Sequence, residues 1–285
     1  RLKQDAYWNA RILSNAGKPR KLWRCLDNLL LRNQSKSAPP PATVSADRLS
    51  TFFDEKVEAV RNSTANAAEP SIHDGPADRT FHAFVKCSMS DVRQVLLESP
   101  VKSCSLDPLP TFLLREFVDD LLPFICTMCN ASLREGLLPE SQKAAVITPV
   151  LKKSNLDPGD CKNYRPISNL TFMSKVIERL VARQLTRYLE SNQLMPMFQS
   201  AYRRSHSTET AILKIVSDIL DAADASPSQV TLLGMLDLSA AFDTVDHTIL
   251  LSRLRKSYGI TDKALSWIAS FLDTRSQAVA FAGVQ

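Results

Sequence analysis

The chain has 285 residues, of which 44% are hydrophobic and 23% charged, and its formal net charge is +5. This length and apolar content exclude a disordered or fibrous polypeptide, and they predict one large domain or two smaller ones with real cores. The small positive charge is compatible with a polyanionic partner and equally with an ordinary intracellular protein. No apolar run approaches the roughly 18 residues of a membrane span, so we expect no membrane association.

The N-terminal part predicts helices joined by linkers. Residues 1–32 are basic and helical in pattern, whereas Asn33–Ala46 contains three consecutive prolines, which prevent a helix and lack the N–H donors of a sheet. Asp47–Val60 predicts a short amphipathic helix, and Arg61–Thr80 has few apolar residues, which predicts a second linker. Because the first residue is not Met and no signal peptide follows, we expect the chain to begin inside a longer product.

From Phe81 onward the pattern predicts a compact, helix-rich α/β domain that is distinct from a loosely attached segment at residues 1–80. In chain order the predicted elements are a helix capped by Ser90, two helices within Pro108–Arg134 with Pro123 in the first turn of the second, a strand at Ala144–Leu151, helices at Ser174–Leu189 and Thr208–Ala223, a strand at Val230–Leu238, helices at Thr248–Tyr258 and Thr261–Phe271, and a strand at Ala278–Val284. Strands separated by helices favour a mixed α/β domain over a helical bundle.

Six cysteines occur, and only Cys126 and Cys129 have the x-x spacing of a metal-binding pair. A zinc ribbon needs a second pair of Cys or His. Because these two thiols lie in an apolar helical stretch, we interpret them as small core residues. Reduced thiols also indicate an intracellular location.

The segment Thr231–Asp246 carries an apolar run that ends at Asp237, with Phe242 five residues later. Such a run predicts a buried strand or a piece of buried helix, and Gly234 favours a strand that stops at the carboxylate. A carboxylate held there suits a hard cation such as Mg²⁺, which takes few protein carboxylates and completes its shell with water and substrate phosphates. An Asp after a strand is also a common turn or cap residue, so both interpretations stay open on this segment alone.

Four blocks of the sequence resemble reverse transcriptases of the non-LTR (LINE-type) retrotransposons. DLSAAFDTVDH resembles their first palm motif, Asn163–Leu170 (NYRPISNL) their fingers motif, and Gln199–Ala211 the block between the two. Asp107–Lys153 is similar to the N-terminal extension of the same enzymes, and the four blocks follow the family's order. The resemblance covers roughly residues 90–285, and residues 1–60 resemble, less specifically, the connector that follows the endonuclease in such polyproteins.

The resemblance implies right-hand polymerase fingers with an incomplete palm at residues 81–285, preceded by a helical connector at residues 1–80. In the family, a Pro-Gln-Gly block and an Ala-Asp-Asp hairpin follow, and the sequence ends at Gln285 before both. The implied activity is RNA-directed DNA synthesis, in which deoxynucleotides are added to a DNA primer on an RNA template by two-metal phosphoryl transfer. We expect the chain as given to be inactive alone, because it has one of the expected metal-binding Asp residues.

The resemblance also assigns roles within the first palm motif. Asp237 is the implied catalytic residue and ligand of Mg²⁺, with Mn²⁺ as the alternative ion, and the carbonyl of Leu238 completes one metal shell. Phe242 is placed under the sugar of the incoming nucleotide, where its ring excludes a 2′-hydroxyl. The competing interpretation is that Phe242 packs in the core, as most Phe do. Asp243 is interpreted as structural, a cap of the following turn.

Basic residues are assigned to the nucleotide and to nucleic acid. Arg165 matches the position that reaches the triphosphate, where the planar guanidinium can bind two phosphate oxygens. Either Lys152 or Lys153 supplies a second phosphate contact, and a solvated basic turn is the alternative for both. The residues implied to contact template or primer are Gln199, Arg203 and Arg204.

Two further alternatives remain open from the sequence. The chain can be a non-catalytic RNA-binding remnant, or an interaction scaffold without a nucleic-acid role. Arg179, Arg183 and Arg187 share one helical face, which indicates either a polyanion or plain solvent exposure. The resemblance implies action in the cytoplasm and nucleus.

Overall fold

The computed structural model describes residues 12–14, 44–68, 70–75, 79–102, 104–225, 230–238 and 240–281. The helices are α1 (Ala46–Thr64), α2 (Met89–Glu98), α3 (Thr111–Glu116), α4 (Val118–Glu135), α5 (Phe172–Ser191), α6 (Thr208–Ala225), α7 (His247–Tyr258) and α8 (Asp262–Leu272). The strands are β1 (Ala144–Leu151), β2 (Tyr164–Leu170) and β3 (Ser276–Val279). The fold is therefore helix-rich α/β, as predicted, while most of the predicted helical segment at residues 1–32 lies outside the described residues.

Within the described ranges, the sheet has three strands in the order β2-β1-β3. Strand β1 has the predicted bounds, and it pairs with β2 in antiparallel register, with Ala145 opposite Leu170 at one end and Leu151 opposite Tyr164 at the other. Strand β3 runs parallel to β1, with Val279 opposite Ile147. It begins two residues before the predicted start, and the end of the predicted strand at Ala278–Val284 lies outside the described residues.

Helix α1 packs on the sheet and closes a small core. Leu49 and Phe53 are one helical turn apart, and they are buried together with Ile147, Tyr164 and Val279 of the three strands. Ser45 caps the helix by accepting a hydrogen bond from the Arg48 backbone N–H. Helix α1 is therefore not loosely attached, contrary to the expectation. The domain boundary at residues 80/81 stays a prediction.

The larger core lies between four helices, α2, α4, α5 and α8. Its fully buried side chains include Leu96 of α2, Cys129 of α4, Ile177 of α5 and Trp267 of α8. Cys126 and Cys129 are both buried here, which confirms the interpretation that they are core residues. Burial raises the pKa of the Cys129 thiol to about 12, so that this thiol is neutral and inert in the native protein.

Two helix starts differ from the sequence-based prediction. Helix α2 is capped by Ser88 and not by Ser90, because Ser88 and Asp91 form a reciprocal capping box. Helix α4 begins at Val118, so Pro123 is its sixth residue and lies beyond the first turn. The early start follows from α3, which ends at Glu116 and leaves only Phe117 between the two helices.

Residues 73–75 and 79–82, here called the strap, run along the junction of α7 and α8. The Gly75 N–H donates to the Lys256 carbonyl at 2.8 Å, and the Phe81 N–H donates to the Gly259 carbonyl at 2.9 Å. The Thr261 N–H in turn donates to the Phe81 carbonyl at 3.1 Å. The C-terminal part of the predicted second linker is thus held in place by backbone hydrogen bonds.

The predicted strand at Val230–Leu238 is not formed. Residues 230–238 have no regular secondary structure, and Leu232 and Leu236 are 90% and 99% exposed. The prediction was wrong because an apolar run becomes a strand only beside a partner that takes up its backbone hydrogen bonds, and no described strand pairs with this segment. Helix α6 likewise has no buried residue, so its predicted apolar stripe faces outward.

No helix in the described part of the chain combines the length and apolarity that a membrane crossing needs.

Candidate functional site

The β1–β2 hairpin presents Arg165 on its outer face. Val150 and Arg165 are directly opposite in the register, and the next pair, Leu151 and Tyr164, points to the other side because side chains alternate along a strand. Tyr164 is buried against α1, so Val150 and Arg165 point away from that helix. Arg165 is exposed and forms no hydrogen bond or ion pair with another described residue.

Lys152 continues this outer face, two residues beyond Val150. Its N–H donates to the Asn163 carbonyl at 2.8 Å, which extends the ladder one residue past the end of β1. Its ammonium group donates to the Lys162 carbonyl at 2.6 Å. Lys153 lies in the bend that follows and is exposed. Of the two candidate lysines, Lys152 is the one whose strand position matches that of Arg165.

The hairpin is stabilised by a residue that the sequence reasoning did not single out. The Asn169 amide donates to Thr148 Oγ1 at 2.9 Å and to the Val146 carbonyl at 3.1 Å, and it thereby ties β2 to β1. Its place in the NYRPISNL motif is the signal that marked it in the sequence. Pro166 lies opposite Pro149, and it is tolerated because β2 is an edge strand.

The structure places Asp237 and Leu238 in the irregular segment at residues 230–238, where Leu238 is 77% exposed. A turn follows, closed by hydrogen bonds from the N–H groups of Asp243 and Thr244 to the Ala240 carbonyl at 2.9 and 3.1 Å. The side chain that caps the next helix is Asp246, which accepts from the Ile249 N–H at 2.9 Å. The cap role expected for Asp243 therefore belongs to Asp246, and Asp243 contributes only its backbone to the turn.

Phe242 contacts the block at residues 199–211. Its ring meets that of Tyr202 edge to face, with 6.2 Å between the centroids and an interplanar angle of 80°. Phe242 is 76% exposed, so the core-packing interpretation is wrong for this structure. Two predicted blocks that are about forty residues apart in sequence are thus brought together on the surface.

The three residues expected to contact nucleic acid have different surroundings. Arg203 donates to the Pro196 and Met197 carbonyls, both at 3.3 Å, and Gln199 donates to the Ala201 carbonyl at 3.1 Å. Both side chains therefore stabilise the turn that holds them. Arg204 is exposed, and its guanidinium has no hydrogen bond or ion pair within the described part of the chain.

The arginine face of α5 has an intramolecular explanation. Arg183 forms an ion pair with Glu98 at 2.5 Å, and Arg179 hydrogen-bonds the Ser99 hydroxyl, so both hold the C-terminus of α2. Arg115, which no sequence motif marked, donates hydrogen bonds to the carbonyls of Leu97 and Ser99 at the same helix end. Cations at a helix C-terminus satisfy its free carbonyls and favour its dipole. These contacts explain the positions of Arg179 and Arg183 without a bound polyanion and without plain solvent exposure.

These residues supply only some of the ligands that a divalent ion needs. No group of three or more His, Cys, Asp or Glu side chains that could hold a metal occurs within the described ranges. Asp237 and the Leu238 carbonyl supply one carboxylate and one carbonyl oxygen in addition to water, whereas two catalytic ions need several shared carboxylates. The described residues therefore do not form a complete two-metal centre.

Comparison with known proteins agrees with the order of the motifs. Residues 150–284 match the family model described as reverse transcriptase (RNA-dependent DNA polymerase). The RNA-directed DNA polymerase from mobile element jockey of Drosophila melanogaster is 27% identical over 197 residues, which cover 69% of this chain and 21% of the relative. A probable RNA-directed DNA polymerase from transposon X-element of the same species is 28% identical over 206 residues, 72% of this chain and 22% of the relative.

The chain spans about a fifth of the length of these curated relatives. A third relative, a probable RNA-directed DNA polymerase from transposon BS of Drosophila melanogaster, is 29% identical over 157 residues, which cover 55% of this chain and 17% of the relative. The matched region includes strand β2 with Arg165, the block with Tyr202 and the segment with Asp237. Reverse transcriptases in general use divalent metal ions. Residues 150–284 are therefore similar to the reverse transcriptase family, and the chain is similar to RNA-directed DNA polymerases of mobile elements.

Proposed function

We propose that this chain forms the fingers and the opening of the palm of a right-hand polymerase that copies RNA into DNA. Its partners are an RNA template, a DNA primer and deoxynucleoside triphosphates, and it acts in the cytoplasm and nucleus. The names of its homologues and the match to the reverse transcriptase family support this assignment. The domain division at residues 80/81 belongs to the same proposal.

The observation that carries the proposal is the register of the β1–β2 hairpin. It supports a role for Arg165 and Lys152 as neighbouring cations on one exposed face. A triphosphate needs such a pair, because its oxygens are charged and the guanidinium can bind two of them at once. Lys153, in the adjoining bend, remains the alternative to Lys152.

Asp237 is proposed as the catalytic carboxylate and as one ligand of Mg²⁺, or of Mn²⁺, with the Leu238 carbonyl beside it. The ion, when bound, neutralises charge on the attacking and leaving oxygens of the phosphoryl transfer. Phe242 is proposed to select deoxynucleotides by occupying the space that a 2′-hydroxyl would need. Its exposure and its edge contact with Tyr202 are compatible with a ring that meets a ligand.

Gln199, Arg203 and Arg204 are proposed to contact the nucleic-acid backbone. Arg204 is best suited for a direct phosphate contact, because Arg203 and Gln199 already bind backbone carbonyls of their own turn. Each phosphate that is neutralised releases condensed counterions, so RNA affinity should fall steeply as salt rises. Removing one direct contact should reduce the salt slope by about one unit.

The nucleotide contact is tested in a polypeptide that joins this chain to the C-terminal polymerase sequence of a homologue. Arg165→Gln should raise the KM for a deoxynucleoside triphosphate about tenfold or more, because a charge-assisted hydrogen bond contributes roughly 1.5–3 kcal/mol. Arg253→Gln, which removes the same charge from α7, should leave the KM unchanged. Equal KM values for the two variants would contradict the assignment, and RNA binding without any synthesis would favour the non-catalytic alternative.

A further inference from the structure

A cavity of about 460 Å³ lies on the opposite side of the hairpin, between α1 and the short turn before β2. Its volume falls within the usual range of small-ligand sites. The lining residues that matter below are Arg48, Phe52, Glu55, Asp160, Cys161 and Lys162.

One face of α1 forms the first wall of the cavity. Arg48, Phe52 and Glu55 are spaced by four and three residues, which places them on one side of the helix. The neighbouring side carries Leu49 and Phe53, which are buried against the sheet. This burial fixes the rotation of α1, so that the wall is held over the turn rather than free to rotate.

The second wall is a rigid turn. Asp160 Oδ1 accepts the Lys162 N–H at 2.9 Å, and the Asp160 carbonyl accepts the Asn163 N–H at 3.0 Å. Asp160 therefore presents its second carboxylate oxygen from a fixed position. Cys161, between the two lining residues, is buried in the small core and anchors the turn from below.

The charged groups around the cavity are balanced. Within the described residues, the side chains of Glu55 and Lys162 form no hydrogen bond or ion pair. Two carboxylates and two cations give a net charge near zero, which disfavours a polyphosphate or a metal ion. Phe52 adds an aromatic ring whose edge-to-face contact with Phe53, at 6.0 Å between centroids, restrains its orientation. Such a set suits a neutral, planar ligand that both donates and accepts hydrogen bonds.

Lys162 connects this cavity with the outer face of the hairpin. Lys162 lines the cavity, and its carbonyl accepts a hydrogen bond from the ammonium group of Lys152 at 2.6 Å. A single strand that contacts Lys152 can therefore pass around the turn and reach the cavity within a short distance. An extended strand with unpaired bases offers planar ligands of the required kind.

We propose that this cavity binds an unpaired nucleobase of single-stranded RNA. The base stacks on Phe52, and the carboxylates of Glu55 and Asp160 accept hydrogen bonds from an exocyclic amino group, which cytosine has and uracil lacks. The inference rests on the proposed function in taking RNA as the polymer, but its test depends on base recognition and not on synthesis.

The test is equilibrium binding of the whole chain to fluorescent RNA oligonucleotides of about 12 nucleotides, a length within known single-strand site sizes. Three ligands are compared: oligocytidine, oligouridine and an abasic strand of equal length. Oligocytidine should bind most tightly, and the abasic strand at least about fivefold more weakly, because stacking on one aromatic ring contributes about 1–3 kcal/mol. Equal affinity for the three strands would overturn the inference.

Variants localise the effect. Phe52→Leu keeps an apolar side chain against the small core and should remove the advantage over the abasic strand, while Glu55→Gln should remove the preference for cytidine. Glu58→Gln changes the same charge on α1 outside the cavity and should leave both preferences intact. Circular dichroism verifies the fold of each variant.

Two results would assign the recognition elsewhere. Unchanged base preferences in both Phe52→Leu and Glu55→Gln would overturn the cavity as the site. Cytidine monophosphate binding as tightly as the strand would overturn it in favour of a free nucleotide. A failure of the proposed function appears separately, as equal KM values for Arg165→Gln and Arg253→Gln in the joined polypeptide.

Discussion

Replacing Gly259 with alanine should destabilise the protein through two independent effects. Gly259 ends α7 in the left-handed conformation, with φ of 65°, which costs a residue with a side chain about 1–2 kcal/mol. A Cβ atom at this position would also lie 2.0 Å from the Arg79 carbonyl oxygen. That oxygen belongs to the backbone of the strap, so the strap itself must move.

The displacement has a definite energetic cost. It weakens the hydrogen bonds from the Phe81 N–H to the Gly259 carbonyl, at 2.9 Å, and from the Thr261 N–H to the Phe81 carbonyl, at 3.1 Å. Each contributes about 1 kcal/mol. Alanine also restricts the unfolded chain, which offsets about 0.4–1 kcal/mol. The free energy of unfolding should therefore fall by about 2–3 kcal/mol.

Urea denaturation followed by far-ultraviolet circular dichroism measures this loss. The matched control is Gly234→Ala, because a Cβ atom at Gly234 would meet nothing within 4 Å. The control should remain within about 0.5 kcal/mol of the parent, as surface substitutions usually do. If Gly259→Ala were as stable as Gly234→Ala, the docking of the strap on the α7–α8 junction would be refuted.

Three further predictions address the strap, a helix cap and the core. Gly75→Ala should release the strap, because the added Cβ atom would lie 2.2 Å from the Ser257 carbonyl oxygen. Limited trypsin digestion should then cut after Arg79 faster than in the parent, and equal cleavage rates would contradict this. Hydrogen bonds from Ser88 lower the pKa of Asp91, so the ionised carboxylate stabilises the folded protein. This stabilisation is complete above the unfolded pKa near 3.8 and is lost as pH falls through the lower folded pKa. Urea titrations should therefore give Asp91→Asn a lower free energy of unfolding than the parent at pH 7 and an equal one near pH 2, and a difference that stays constant with pH would speak against the capping box. Cys129, with its pKa raised to about 12, should react with a thiol reagent at pH 8 only as fast as the protein unfolds, and rapid native labelling would exclude its burial.

Local signals in the sequence predicted the elements whose stability is local or whose partners are near. Strand β1 has the predicted bounds, and α7 ends at Gly259, as predicted from the preference of glycine for the left-handed cap. The apolar helix with Cys126 and Cys129 is buried as its composition indicated. In these cases the residue type and its immediate neighbours determine the conformation.

Long-range partners explain most of what the sequence did not predict. Arg183 is 85 residues from Glu98, and the strap contacts an α7 terminus that is more than 170 residues away. Hydrophobic periodicity carries no information on such pairs. The predicted strand at Val230–Leu238 was wrong for the same reason, because its formation depends on a neighbouring strand and not on its own apolar run.

The candidate site was predicted only as far as the motifs extend. The resemblance located Arg165, Asp237 and Phe242, while the side of the hairpin shared by Arg165 and Lys152 became visible only from the strand register. The contact of Phe242 with Tyr202 required the fold, since the two residues lie on separate segments. The motifs thus identified the candidate residues, and the fold showed which of them lie close together.

Asp237 is proposed to belong to the catalytic centre of an RNA-directed DNA polymerase. The direct test is primer extension on an RNA template by this chain joined to the C-terminal polymerase sequence of a homologue, with Asp237→Asn as the variant. We expect the parent to incorporate deoxynucleotides, and the variant to bind the template equally well but to lose incorporation, because the amide keeps the size and removes the charge that holds the metal ions. Full activity of Asp237→Asn would contradict the account.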